Sequence, residues 1–273
     1  MEFGYLSLPF AFPAKMGLVT FLNLNSCILK MARKKRAKAT KKSAASKPED
    51  VKKQTFLTQF QKFKKKQGKK GLFLVIEGID GSGKSAQAKM IAQWLEEKGY
   101  SILLTREPSS SIHGQKVKVL ARAKENLLNT KEWINLFTLD RQEHLANEIM
   151  PALEEGRIVI CERYYYATLA YQLDNSNEWR DYAKGFLQPD LVIFLDLPTS
   201  TAFNRIADRY SKEGKEQTVF EKQDIMEKTR QKFLLINRHI NDNIKIIDGS
   251  GTKDEIFDKI KKEVMNVLRT MEL

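Results

Sequence analysis

Cysteine is nearly absent from this 273-residue chain: Cys27 and Cys161 are the only two, in dissimilar surroundings. Two such residues build neither a disulfide framework nor a thiolate metal site, and they suit a reducing, intracellular setting. Long apolar runs are missing as well. Met16–Leu29 is uncharged between Lys15 and Lys30, but a bilayer needs about 20 apolar residues, so no transmembrane segment is expected. It also makes a poor signal peptide, because the stretch before it is not basic and Pro9 and Pro13 interrupt it. No internal repeat is visible.

What is abundant is positive charge, and it is local. The net charge is +13, yet residues 31–70 hold 16 Lys+Arg against only Glu49 and Asp50, and residues 1–30 add one further positive charge. From Gly71 onward the chain is therefore close to neutral, at −2. Three regions follow. Residues 1–30 are either an artefact of the assigned start or a targeting segment, since Met31-Ala32-Arg33-Lys34-Lys35-Arg36 reads like a natural beginning. Residues 31–70 form a Lys-rich tail, disordered in its first part, with a short amphipathic helix on which Phe56, Phe60 and Phe63 recur at helical spacing. Those rings either pad the folded domain or offer stacking surfaces beside a cluster of lysines, for weak contact with nucleic acid or an acidic surface. Residues 71–273 form the folded domain.

Within that domain strands and helices alternate. Leu72–Glu77 is a continuous apolar run, as expected of a strand buried on both faces. A helix follows from Lys84 to about Lys98, then a strand at Ser101–Thr105. Further strands are expected at Ile158–Cys161, Leu191–Leu195 and Ile244–Ile247, with long helical segments at Trp133–Leu153 and Phe220–His239. This pattern predicts an α/β, doubly wound, three-layer domain with a parallel five-stranded sheet. Between the first strand and helix lies Gly78-Ile79-Asp80-Gly81-Ser82-Gly83-Lys84-Ser85, a G-x-x-x-x-G-K-[ST] phosphate loop. Its amides face phosphate oxygens at a helix N-terminus, Lys84 reaches the β- and γ-phosphates, and Ser85 suits Mg²⁺. The loop implies a nucleotide but not a reaction.

The rest of the domain resembles the thymidylate kinase family. The motifs are Glu77–Ser85, Thr105-Arg106-Glu107-Pro108, Leu136–Arg141, Glu162-Arg163-Tyr164, and Ala167-Thr168 with Ala170-Tyr171-Gln172, in the family's order. The resemblance implies an ATP-dependent kinase of dTMP making dTDP, with Mg²⁺ as cofactor. Arg163 would clamp the acceptor phosphate, Phe137 stack on the pyrimidine and Arg141 bond its exocyclic oxygen. Tyr171 would lie against the sugar and Asp80 hold the 3′-hydroxyl, with Arg106, Glu162, Thr168 and Gln172 completing the acceptor site. The catalytic set would be Lys84 and Arg163, with Arg209 and then Arg205 from a mobile lid over Arg205–Lys215, because Gly81 leaves no cation inside the phosphate loop. A homodimer and a cytoplasmic location are also implied, or an organelle if Met1 is genuine.

Several positions depart from the family's pattern. Glu162 replaces an aspartate, Ser109-Ser110-Ser111 replace Gly-Gly-Thr, Lys118 stands where arginine is common, and Ala167 lacks a serine hydroxyl. They bear on base discrimination more than on reaction type. One rival reading is a deoxynucleoside kinase, in which Glu107 would be the base for a neutral 5′-hydroxyl, or a kinase of another pyrimidine monophosphate. The other is a nucleic-acid-binding protein acting through its basic tail.

Overall fold

The computed structural model describes residues 56, 58–63, 70–123, 125–213, 218 and 220–271. The readings of residues 1–30, of Met31 and of most of the Lys-rich stretch lie outside the described residues, as does Lys215.

Five parallel strands form one sheet: β1 (Phe73–Glu77), β2 (Ile102–Arg106), β3 (Ile158–Glu162), β4 (Leu191–Asp196) and β5 (Ile244–Asp248), in the order β2-β3-β1-β4-β5. The expected sheet is therefore present, each strand within a residue or two of its expected span. β1 is central. Val75 pairs with Cys161 on one side and Val192 on the other, so this strand is shielded from water on both faces and both edges. Alternation then divides its side chains. Phe73 and Val75 join Val159, Cys161, Val192 and Phe194 in one hydrophobic layer; Leu74 and Ile76 join Ile158, Ile160, Leu191 and Ile193 in the other.

The second layer is closed by α1 (Lys84–Glu97) and by the last helix, Lys253–Thr270, whose Thr252 and Glu255 form a reciprocal cap. Between these come α2 (Ile112–Ala121), α3 (Thr130–His144), α4 (Met150–Glu154), α5 (Tyr165–Gln172), α6 (Ser176–Ala183), α7 (Thr199–Glu213) and α8 (Gln223–His239), which makes the last helix α9. The long helix expected over Trp133–Leu153 begins earlier, at the Asn129–Glu132 capping box, and is not uniform. Leu145–Ile149 widens to a π turn just before Pro151. Proline has no N–H to return to the preceding turn, and a local widening is one way a helix absorbs that loss.

The first hydrophobic layer reaches ahead of Gly71. Residue 56 and residues 58–63 are helical, and Phe56, Phe60 and Phe63 are buried together with Leu145, Ile149 and Leu153 in that cluster. All described residues fall in one compact unit, Pro48–Leu273. The phenylalanines of the amphipathic segment are thus part of a packed core, and their rings are not available as a stacking surface. No helix among the described residues is long and apolar enough to cross a membrane.

Candidate active site

The phosphate loop turns sharply between β1 and α1 because Gly78, Gly81 and Gly83 adopt positive φ of 146°, 79° and 98°. At Gly81 the requirement is steric too: a Cβ there would lie 2.4 Å from the Ala202 carbonyl oxygen of α7. No side chain fits, so a cation cannot enter from inside the loop. The Lys84 ammonium folds back across it, donating to the carbonyls of Gly78 (3.0 Å) and Ile79 (2.8 Å). Burial, and then the nearby Arg163, push that ammonium down to about 8. The β5–α9 turn flanks the loop, with Gly249 close to the Ser82 carbonyl and the Lys253 carbonyl accepting from Gln87 at 2.9 Å.

The Ser85 hydroxyl donates to Glu162 at the end of β3 (2.9 Å). A hydroxyl and a carboxylate oxygen side by side are the hard donors that Mg²⁺ takes, usually alongside phosphate and water. Glu162 also lies 3.7 Å from Arg106 at the end of β2. The extra methylene relative to aspartate therefore spans from the loop hydroxyl to a neighbouring strand. No cluster of three or more His, Cys, Asp or Glu suited to a metal occurs among the described residues, so any ion here would lean on the nucleotide.

Beyond β3 a cavity of about 690 Å³ opens, with Arg163 in its lining. Its guanidinium donates to Asp80 at 2.5 Å. Burial alone would raise the Asp80 carboxyl, but Arg163 and Lys84 together hold it down at about 2, so it is anionic at any working pH. Deeper in, Arg141 from α3 is 1% exposed. Its Nε and Nη2 donate to Glu107 (2.9 and 2.6 Å), leaving Nη1 turned to Tyr182 (3.0 Å) and Thr168 (3.4 Å). Phe137 from α3 and Tyr171 from α5 form aromatic walls, and the Tyr171 hydroxyl is buried without a hydrogen-bond partner among the described residues. Gln172 lines the same space.

α7 brings both expected lid arginines toward this place. Arg205 donates to the Gly81 carbonyl at 3.4 Å, reaching the position where a side chain cannot stand. Arg209 lines the cavity and is held by Glu221 at 3.2 Å. The described residues around the cavity include six Arg or Lys against three Asp or Glu, a surplus that suits a polyanionic ligand.

Sequence reasoning missed three of the neighbours. Phe220 closes the aromatic wall, with ring centroids 5.0 Å from Trp133, 6.3 Å from Phe137 and 5.7 Å from Tyr171. Glu221, 3% exposed, takes hydrogen bonds from Tyr210 and the Thr218 amide besides Arg209. Arg122 follows α2. All three sit in weakly patterned sequence, and only the tertiary fold brings them to the cavity.

Comparison with known proteins agrees with this architecture. The thymidylate kinase family model matches residues 76–260. The chain is 36% identical over 200 residues to the probable thymidylate kinase of Thermococcus gammatolerans, covering 70% of this chain and 94% of that protein. It is 35% identical over 207 residues to the thymidylate kinase of Syntrophotalea carbinolica (72% and 96%) and 32% over 210 residues to that of Thermosipho africanus (73% and 100%). The chain belongs to the thymidylate kinase family.

Its departures from the family pattern now have local explanations. Ser109 and Ser111 both bond Asp140 of α3 (2.5 and 2.7 Å), and Ser111 caps α2 through the Gly114 amide. These two serines thus tie the loop after β2 to α3, next to Arg141, and Ser110 donates to Glu148 in the π turn beyond it (3.2 Å). Lys118 donates to the Ser109 carbonyl at 2.8 Å and faces the cavity. The helix preceding Gly71 lies upstream of the segment matched by the family model, so it is an addition to the matched core.

Proposed function

We propose that this member of the thymidylate kinase family transfers the γ-phosphoryl group of ATP to dTMP, giving dTDP. The observation that carries this reading is Arg163: a half-buried guanidinium fixed by Asp80 between the phosphate loop and an aromatic-walled cavity. A planar fork of donors in that position suits the acceptor phosphate. Phe137 offers its face to the base, and the Nη1 edge of Arg141 faces inward for an exocyclic oxygen. A donor there disfavours cytosine, whose amino group would meet it unpaired. The orphan Tyr171 hydroxyl and the anionic Asp80 suit the deoxyribose. Arg106, Glu162, Thr168 and Gln172 complete that site.

No general base is required, because the attacking oxygen of a monophosphate is already anionic at neutral pH. Catalysis then rests on alignment and on neutralising charge at the transferring group by Lys84, Arg163, Arg209 and Arg205. Ser85 and Glu162 are the residues that would hold Mg²⁺, which supplies charge neutralisation between the phosphates when bound. Both donors of one Arg141 edge occupy a single Glu107 oxygen, while the other oxygen has no hydrogen-bond partner among the described residues, so the deoxynucleoside kinase reading is decided by the choice of acceptor. Cytoplasmic location and pairing into a homodimer belong to the same proposal, as does a minor role for residues 31–70 in contacting polyanions.

The test is ADP release with ATP·Mg²⁺ and a panel of dTMP, dUMP, UMP, dCMP, dGMP and thymidine. A clear preference for dTMP is expected. Turnover of thymidine but not dTMP would transfer the chain to the nucleoside kinases and make Glu107 the base.

A further inference from the structure

Arg163 is the single non-glycine residue with positive φ among the described residues, at 69°. The left-handed region is disfavoured for an L-residue, and such a conformation persists only where the surroundings over-determine it. Here they do so from three directions. The Arg163 amide donates to the Ile76 carbonyl at 2.9 Å, continuing the β1–β3 ladder one residue past the strand. The Arg163 carbonyl accepts from the Cys161 thiol at 3.0 Å. The next amide, Tyr164 N–H, has left the ladder and finds a side chain instead: it donates to Glu77 Oε1 at 2.7 Å.

Glu77 has no place in the phosphate-transfer scheme above. It is 1% exposed at the end of the central strand, and its second oxygen lacks a hydrogen-bond partner among the described residues. Leaving a carboxyl in so buried a place carries a desolvation penalty, which tells against mere filling of space. Burial pushes the carboxyl up to about 7, although Arg163, the Tyr164 amide and Lys84 all pull it down. In either protonation state Oε1 can accept from the Tyr164 amide. Cys161 is fully buried and burial pushes its thiol well up, so it stays protonated and can donate.

From this geometry we infer that Glu77, assisted by Cys161, is a positioning residue: it holds the backbone at Arg163–Tyr164 in the left-handed turn that aims the Arg163 guanidinium at the acceptor phosphate. The inference rests on the reading of Arg163 as the acceptor clamp. It makes an acid of the β1 terminus responsible for acceptor affinity, although the adjoining phosphate loop serves the donor.

The experiment is steady-state kinetics with ATP and dTMP varied separately, on the wild-type chain, Glu77→Ala, Glu77→Gln, and Arg163→Ala as control. Loss of the hydrogen bond that holds this turn predicts that Glu77→Ala raises the dTMP KM about 10- to 100-fold while the ATP KM moves less than about threefold. Glu77→Gln, which keeps a carbonyl acceptor in place, should return the dTMP KM to within about fivefold of wild type. A residue that merely stabilised the fold would change both substrates alike or neither. An unchanged dTMP KM in Glu77→Ala, or equal damage in Glu77→Ala and Glu77→Gln, overturns the inference. If Glu77→Ala does not fold, Cys161→Ala against Cys161→Ser decides. The first should raise the dTMP KM about threefold and the second, which keeps a donor, should not; identical behaviour overturns the proposal. If Arg163→Ala itself leaves the dTMP KM unchanged, the clamp reading falls and this inference falls with it. If only the Glu77 variants leave it unchanged, the clamp stands and the positioning role alone is lost.

Discussion

The phosphate loop and the acceptor cavity meet at Asp80, but they are built on opposite plans. The loop is one contiguous segment of eight residues, running from the end of β1 into the first turn of α1, and its working groups are mostly backbone amides and carbonyls. The cavity is made of side chains delivered by the ends of β2 and β3, by α2, α3 and α5, and by α7 with the turn before α8. A backbone site depends on conformation, so what it demands of the sequence is glycine at set places. A side-chain site depends on which elements are neighbours, and its members tolerate exchange as long as the contact is kept. The serines around Asp140 are such a contact: two hydroxyls join the loop after β2 to α3.

The contrast predicts different failures. Lys84→Ala should lower kcat by about 100- to 1000-fold at saturating substrates, since it removes a preorganised cation from the transferring group; a kcat within tenfold of wild type would contradict its assigned role. Comparable in size is an effect belonging to neither half. Phe60→Ala, in the helix ahead of the family core, should cost about 3–5 kcal/mol of stability. Chemical denaturation would read this directly, and kcat for the folded fraction should be unchanged. On the cavity side, Phe137→Ala should raise the dTMP KM about 10-fold or more, from the roughly 1–3 kcal/mol that an aromatic–base stack contributes, with ATP affinity unmoved. Arg209→Ala sits between the halves and should lower kcat at least about tenfold with dTMP binding nearly intact. An unchanged kcat would remove Arg209 from the lid role.

The same contrast governs what could be read from the sequence. The sheet and the phosphate loop were legible because a doubly buried parallel strand is a plain apolar run and the loop's residues are contiguous. The cavity became legible only through the resemblance: Phe137 or Tyr171 taken singly is indistinguishable from a core aromatic. Phe220 and Glu221 escaped because the sequence places them at the start of the helix expected over Phe220–His239, whereas they lie in the turn before α8, which begins at Gln223. Glu77 was read as the first letter of a motif, and its bond to the Tyr164 amide, 87 positions away, leaves no trace in local pattern. The phenylalanines at 56, 60 and 63 had the right periodicity for a helix, but the lysines on either side of them also fit a solvated surface. Burial against Leu145 and Ile149 is a tertiary fact.

The smallest effect expected is one of pH, and it separates the halves most finely. Lys84 has its ammonium pushed down to about 8 by burial and by Arg163, against an ordinary value near 10.5. The free protein therefore loses this charge as pH rises through about 8, while the unfolded chain keeps it to well above 10. By linkage, the folded state carries fewer protons in that window, so the cost of burying the ammonium is present below it and is relieved as pH rises. Donor binding should follow the charge. ATP·Mg²⁺ affinity, titrated without acceptor from about pH 6 to 10, should be flat below 8 and weaken above it. Bound phosphates favour the ammonium and should move the limb upward in kcat relative to the free protein. Asp80, held at about 2, is fully ionised across the whole range and cannot produce this limb. Lys84→Arg, which does not titrate there, should abolish it. A limb that survives in Lys84→Arg would assign the alkaline loss to another group and leave the backbone half of the site insensitive to pH.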